Sequence, residues 1–327
     1  MKKMNSVICT LFEGHYHHGV AALSNSLYQC GFRGTIYVGY RGALPNWVLT
    51  KGKTEVLGKW EEAISFEPIE DLKLCFLPLD TNYSLTNYKP DFMIALWQDI
   101  AKDAEALYYF DPDIIVHESW VCFEQWVNYG IALCEDINSP MSLSHPHRIG
   151  WKNFYKKYNV DLSFKNEVYV NGGFIGLTRE NIHFLELWLK LQLYMGDAIG
   201  GLQNSIFSNQ SYKSTIPQTS GFRIFDKSDQ DALNATIGAF NGDISFIGSE
   251  AMAFKHGTKL MFHALGIPKP WKANLLSRAF KGKPPRLVDV KYWNMKPFPI
   301  MAHSKLEIVR KKISIYLAKF LGRFYRV

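Results

Sequence analysis

The sequence predicts an α/β protein built on a mostly parallel sheet, and three observations point there. Strand and helix patterns alternate from Val7 onward. The first three elements read as a βαβ unit. The apolar run Leu107-Tyr108-Tyr109-Phe110 then delivers two carboxylates, Asp111 and Asp113, at a strand's carboxyl end, where open α/β sheets collect their ligands.

Each element has its own signal. Val7 to Phe12 is an apolar strand, and Gly19 to Tyr28 a helix with Val20, Leu23 and Leu27 on one face. Gly31 and Gly34 bracket a turn before the strand Thr35 to Gly39, and Leu74 to Leu79 reads as a third strand. Asp91 to Ala101 predicts a helix capped by Asp91. After the acidic stretch, Glu167 to Leu177 predicts a strand interrupted by Gly172-Gly173, a place for close backbone or ligand approach. His183 to Tyr194 is an apolar helix. Gly196 to Gly221 lacks a period and predicts a long functional or disordered loop, and Ser228 with Asp231 predicts a capped helix start.

The 327 residues are 47% hydrophobic, enough for a sizeable core, and no run of about 18 apolar residues offers a membrane span. Met1 to Ser6 is basic, but the run after it breaks at Glu13-Gly14-His15, so it reads as a core strand and not as a signal peptide. The five cysteines lack C-x-x-C spacing, which predicts buried thiols in a reducing cytoplasm. Net charge is +7, yet residues 305–327 hold seven basic residues against Glu307 alone, so +6 lies in the tail. A nearly neutral body argues against a broad nucleic-acid-binding face.

Paired carboxylates beside a core strand need a cation or firm hydrogen bonds, so Asp111 and Asp113 predict either a hard-metal site for Mn²⁺ or Mg²⁺ or an Asp-Pro-Asp turn. No G-x-x-x-x-G-K-[ST] and no G-x-G-x-x-G occurs. His15, His17 and His18, like His145 and His147, lack zinc spacing and read as loop-packing residues. His263 is different, since it opens His263-Ala264-Leu265-Gly266-Ile267-Pro268-Lys269-Pro270-Trp271. One imidazole can complete a carboxylate site, favouring Mn²⁺, and Lys269 on a proline-stiffened turn suits a phosphate.

The ordered set Asp111 and Asp113, Asn171-Gly172-Gly173, Asp229-Gln230 and His263-x-x-Gly266-x-x-Lys269-Pro270-Trp271 resembles glycosyltransferase family 8, over about Val7 to Trp271. The acidic pair is weakly specific and the final element strongly so. The resemblance implies a GT-A fold of Rossmann-like type, like lipopolysaccharide galactosyltransferases and glycogenin, and retaining hexosyl transfer from a nucleotide sugar, UDP-hexose by default. It implies that Asp111, Asp113 and His263 hold Mn²⁺ or Mg²⁺ on the diphosphate. Lys269 would steady the leaving group, and Gly266 would let backbone approach the phosphates. Asn171, Gly173, Asp229 and Gln230 would line the sugar, with Thr10 on the nucleotide at the first strand's end. Asp229, Gln230 and Lys269 are thus the catalytic candidates. The chain departs from the family's Asn-Ala-Gly at Gly172, and its first strand ends in Thr10-Leu11-Phe12-Glu13 in place of small and acidic residues.

This predicts a catalytic domain over 1–275, a connecting segment over 276–304 and a basic amphipathic tail over 305–327. The tail threads Leu306, Val309, Ile313, Ile315, Tyr316, Leu317, Phe320, Leu321, Phe324 and Tyr325 among lysines and arginines, as a helix lying on an anionic bilayer does, or alternatively a helix docked on its own domain. The expected setting is the inner face of the cytoplasmic membrane, with a glycan or lipid-linked acceptor and no nucleic-acid partner. A nucleotide-sugar-forming nucleotidyltransferase lacks its expected early glycine- and basic-rich loop here. A non-catalytic sugar-binding protein would not need the metal and diphosphate set.

Overall fold

Strand β1 (Ser6–Glu13) lies inside a nine-stranded sheet and is buried at every residue but the last. The computed structural model describes residues 4–205 and 223–325. After β1 come α1 (His17–Gln29), β2 (Gly34–Arg41), the single turn α2 (Asn46–Leu49), β3 (Lys53–Leu57), β4 (Trp60–Ile69) and β5 (Leu72–Pro78). The middle of the chain supplies α3 (Lys89–Gln98), β6 (Ala106–Phe110), β7 (Ile114–Val116), α4 (Trp120–Trp126), β8 (Ile131–Cys134), α5 (Pro146–Lys156), β9 (Phe174–Thr178) and α6 (Ile182–Ile199). The remainder holds α7 (Ser228–Ala239), β10 (Ile244–Ile247), β11 (Met261–His263), α8 (Leu275–Phe280), α9 (Leu287–Asn294) and α10 (Lys305–Gly322).

The strand order is β10-β8-β9-β6-β1-β2-β5-β4-β3, and only β9 and β4 run against the other strands of that sheet. Both faces of the centre are covered, which is why its strands are continuous apolar runs. Along β6 the alternation is plain. Leu107 and Tyr109 join the core under α3, α6 and α7, while Tyr108 and Phe110 join the core that holds Val20, Leu23 and Leu27 of α1. A separate ribbon pairs β11 with β7 antiparallel, His263 opposite Ile114.

Several expectations change in detail. The β3–β4 hairpin was not anticipated: its exposed positions carry Lys53, Glu61, Glu62 and Glu67, the charge that protects a sheet edge but blurs its apolar alternation. Asp91 is not a cap. The helix starts two residues earlier, at Lys89, with Pro90 in its first turn. Asp91 Oδ2 is buried without a partner, and burial pushes its carboxyl up to about 6. Ser228 is likewise the first helical residue of α7 and not its cap. Asp231 accepts from the backbone N–H of Asp226 (2.7 Å) and Lys227 (2.8 Å), holding the chain as it enters the helix. Cys9, Cys75 and Cys134 are buried, but Cys30 and Cys122 are only half-buried.

Of the long loop expected over 196–221, the first residues finish α6 and 206–222 lie outside the described residues. Segment 276–304 is more than a connector. It carries α9 and most of α8, which share an apolar cluster with Ala22, Phe262 and Trp271. Helix α10 packs on α8 and α9 through Ile315 and Ala318, and Lys311 donates to Ala273 O at 2.7 Å.

Candidate active site

The Asp-Pro-Asp stretch is a turn as well as a carboxylate pair, so its two readings are not rivals. Ile114 N–H closes it onto Asp111 O at 3.0 Å, while Asp111 N–H donates to Gly173 O at 2.7 Å. Asp113 O accepts from Ala264 N–H at 3.1 Å, the contact that carries the β7–β11 ribbon on to His263. Helix α1 crosses the turn at Gly19, where a Cβ would stand 2.2 Å from Pro112 O, so only glycine fits.

This register brings together residues distant in sequence. His263 Nε2 lies 3.3 Å from Asp113 Oδ1 and 3.7 Å from Asp111 Oδ2. The ligand atoms of Asp111, Asp113 and His263 all fall within 4.8 Å of one another, the one such group among the described residues. Two carboxylates and an imidazole suit Mn²⁺ or Mg²⁺. His263 Nδ1 is buried without a hydrogen-bond partner. Lys269 Nζ reaches Asp113 Oδ2 at 2.5 Å and Ala264 O at 2.8 Å. Burial disfavours the Asp113 carboxylate, but His263 and Lys269 outweigh it and hold the group well below the usual range.

Gly172 and Gly173 sit between the carboxylates and α7. A Cβ on Gly173 would meet His263 Cε1 at 2.6 Å and Asp111 Oδ2 at 2.9 Å, so close approach is what this glycine supplies. Gly173 N–H donates to Asn171 Oδ1 (2.9 Å), and Gly172 N–H to Gln230 Oε1 (3.1 Å). Asn171 in turn donates to Asp136 Oδ2 at 2.7 Å. Asp229 and Gln230 ride in the first turn of α7 and face this cluster.

Lys89, which the sequence reading missed, ties the two parts together. It is 2% exposed, and its ammonium reaches Asp111 Oδ1 (3.2 Å), Asp229 Oδ2 (2.9 Å) and Gly172 O (2.8 Å). Burial works against its charge, yet Asp111 and Asp229 overcome that and raise its pKa. For Asp229 burial prevails over Lys89 and raises the carboxyl. Only position at the mouth of an apolar helix marked Lys89 in the sequence, and many structural lysines share that. Arg286 was missed too: it donates to Leu265 O (2.7 Å) and Pro268 O (2.8 Å), holding the Gly266 loop from segment 276–304.

Apart from Arg286, these residues open on one cleft of about 770 Å³, lined at one end by Glu13, Tyr16 and Arg41 and elsewhere by Asp111, Asp113, Asn171, Gly173, Asp229, Gln230, His263, Gly266 and Lys269. Thr10 is the exception. It is wholly enclosed in β1 and absent from the lining, which begins at the next residue, Leu11, as the strand runs on to its open end at Glu13.

A mixed sheet with a parallel centre, flanking helices and an acidic turn at the carboxyl edge matches the GT-A architecture of glycosyltransferases. Glycosyltransferases are among the solved structures it resembles. The apo structure of the bifunctional WbbM superposes with a TM-score of 0.50 at 12% identity, covering 95% of this chain and 52% of that one. The galactosyltransferase LgtC, in complex with donor and acceptor sugar analogues, gives 0.48 at 13% identity over 82% and 90% of the two chains. GlyE of Streptococcus pneumoniae TIGR4 gives 0.48 at 13% over 98% and 64%. No protein-family model and no curated protein sequence matches the chain.

Proposed function

We propose that this protein is a divalent-metal-dependent, retaining glycosyltransferase that moves a hexose from a nucleotide diphospho-sugar, UDP-hexose in the first instance, to a glycan or lipid-linked acceptor. The observation that carries the reading is the cation-ready triad of Asp111, Asp113 and His263 with Lys269 at its edge, in the same cleft as Asp229 and Gln230. A bound Mn²⁺ or Mg²⁺ would neutralise diphosphate charge as a Lewis acid. Lys269 is placed to stabilise negative charge developing on the leaving oxygen. Tyr16, whose ring centre is 5.7 Å from Lys269 Nζ, offers a flat face to the base. The Gln230 amide and the Asp229 carboxylate, the latter immobilised by Lys89, orient the sugar.

Retention fits front-face attack. The acceptor oxygen bonds to the anomeric carbon on the side from which the diphosphate oxygen leaves, and the acceptor proton passes to that oxygen. An amide is a poor nucleophile, and Asp229 is already bound to Lys89, so neither favours a covalent intermediate. The test is a thermal-shift screen with Mn²⁺ and a panel of nucleotide sugars, followed by donor-hydrolysis assays. Stabilisation by one nucleotide series with metal-dependent hydrolysis is expected, and no shift with any nucleotide would sink the reading.

The membrane part of the proposal rests on α10. Its packed face leaves Leu306, Val309, Ile313, Tyr316 and Phe320 exposed at helical spacing, beside Arg310, Lys312 and Lys319, with Phe324 exposed just past the helix end. No helix among the described residues is long and apolar enough to cross a membrane. Such a stripe suits the surface of an anionic bilayer. Deleting Ser304 onward should abolish sedimentation with anionic liposomes, and undiminished sedimentation would remove the tail from the account.

A further inference from the structure

Lys227 is the odd cation of the cleft. Arg41 is bound to Glu13 Oε2 (2.7 Å) and to the carbonyls of Thr81 (3.1 Å) and Tyr83 (3.0 Å). Lys89 has three close acceptors and Lys269 two. Lys227 has one, Asp136 Oδ1 at 3.4 Å, together with the Tyr169 ring 5.3 Å away. Asp136 has closer partners as well, although, against the effect of burial, Lys227 helps the Asn171 hydrogen bond hold its carboxyl below the usual range. Its Oδ2 takes Asn171 Nδ2 at 2.7 Å, and its Oδ1 takes Asn138 N–H at 3.0 Å and Asn138 Nδ2 at 2.5 Å.

An ammonium carries three donors, so two of those on Lys227 have no acceptor among the described residues, and its side chain lines the cleft. The backbone beneath it is fixed, because Lys227 N–H is bound to Asp231 Oδ2 at 2.8 Å directly before α7. A second lysine, Lys255, meets the same 136–139 segment through one contact of 3.4 Å to Ser139 O. An ordinary solvated lysine would account for exposure, but not for a fixed stem and a place in the lining of the sugar-binding cleft. A sugar bearing only hydroxyls would strip water from this ammonium and return weaker bonds. A carboxylate or phosphate would return charge-assisted ones.

Resting on the glycosyltransferase reading, we infer that Lys227 selects an anionic saccharide, one bearing a carboxylate or phosphate, as the donor sugar or as the acceptor unit. Calorimetric titration of the full chain with Mn²⁺ separates the two sources. The donor arm compares UDP-glucuronate with UDP-glucose. The acceptor arm compares methyl glucuronide with methyl glucoside and glucose 6-phosphate with glucose. In at least one arm the anionic ligand should bind about tenfold more tightly than its neutral counterpart, the size of one charge-assisted hydrogen bond. Lys227→Gln should bring that ratio close to one, and Lys227→Arg should keep most of it. No preference in either arm, or the same preference in Lys227→Gln, overturns the inference. Metal-dependent binding of UDP alone reports separately on the glycosyltransferase reading, and the acceptor arm needs no nucleotide.

Discussion

The two flanks of the cleft solve the problem of buried charge in opposite ways. Around Asp111, Asp113 and His263, two carboxylates and an imidazole lie within 4.8 Å of one another beside Lys89 and Lys269, an arrangement that could hold a cation. Around Asp229, Gln230 and Asn171, hydrogen bonds run through Lys89, the glycine backbone and Asp136, and Gln230 Nε2 is left without a partner. On the proposed function the first flank would hold a metal, while the second is cross-linked by the protein's own hydrogen bonds. On the proposed function the difference teaches that the kind of charge follows the chemistry, a metal's charge where a bond would break and fixed protein charge where a sugar would be held.

The sharpest way to break that contrast is at the metal flank. Asp113→Asn should lower metal-dependent donor hydrolysis by about 10³-fold or more and abolish saturable Mn²⁺ binding. Near-normal turnover would show that Asp113 is not a ligand. On the other flank the same order of free energy should appear as stability. Lys89→Met leaves Asp111 and Asp229 facing each other uncompensated, and should cost about 3–5 kcal/mol in urea unfolding. A loss below about 1 kcal/mol would mean that the flank is not organised by its lysine.

Gly173→Ala probes the seam between the flanks. The added Cβ must push His263 or Asp111 aside, so Mn²⁺ affinity should fall about 10- to 100-fold while the fold persists. Unchanged affinity would show that the seam gives way easily. The smallest effect is a reference away from both flanks. Asp91 is a largely buried carboxylate with its pKa raised to about 6 and no cation among the causes of that shift. Its raised value means the folded state holds the proton more firmly than the unfolded one, so its contribution is present below about pH 4 and lost as pH rises through about 6. Asp91→Asn should flatten that part of the stability profile and raise Tm at pH 7 by about 2 °C, allowing for the group's partial exposure. An unchanged profile between pH 4 and 7 would remove Asp91 as its source.

What could be read beforehand followed from how locally each feature is encoded. Strands β1, β2, β5 and β6 are apolar runs that stay apolar because both faces are covered, and Asp111, Asp113, His263 and Lys269 stand in short motifs whose chemistry is visible in the residues themselves. Lys89 and Arg286 were hidden because their meaning depends on residues far away: Lys89 is defined by Asp229, 140 positions later, and Arg286 by the loop it clamps from the next segment. Thr10 falls one residue short of the cleft lining, which begins at Leu11, because an apolar strand does not announce where it opens. Asp91 and Ser228 are good capping types in sequence, yet Pro90 and Asp231 decide where their helices begin.

The β7–β11 ribbon also fixes an order of events during synthesis. Asp113 and His263 are 150 positions apart, which at roughly 5–20 residues per second puts roughly 8–30 s between them on the ribosome. Lys89 is made before either carboxylate of the acidic turn, so a nascent chain can quench Asp111 long before its imidazole exists. The internal ammonium that later shapes the sugar flank would then serve first as a counter-ion to an unfinished metal centre, and the centre itself would be among the last parts of the molecule to form.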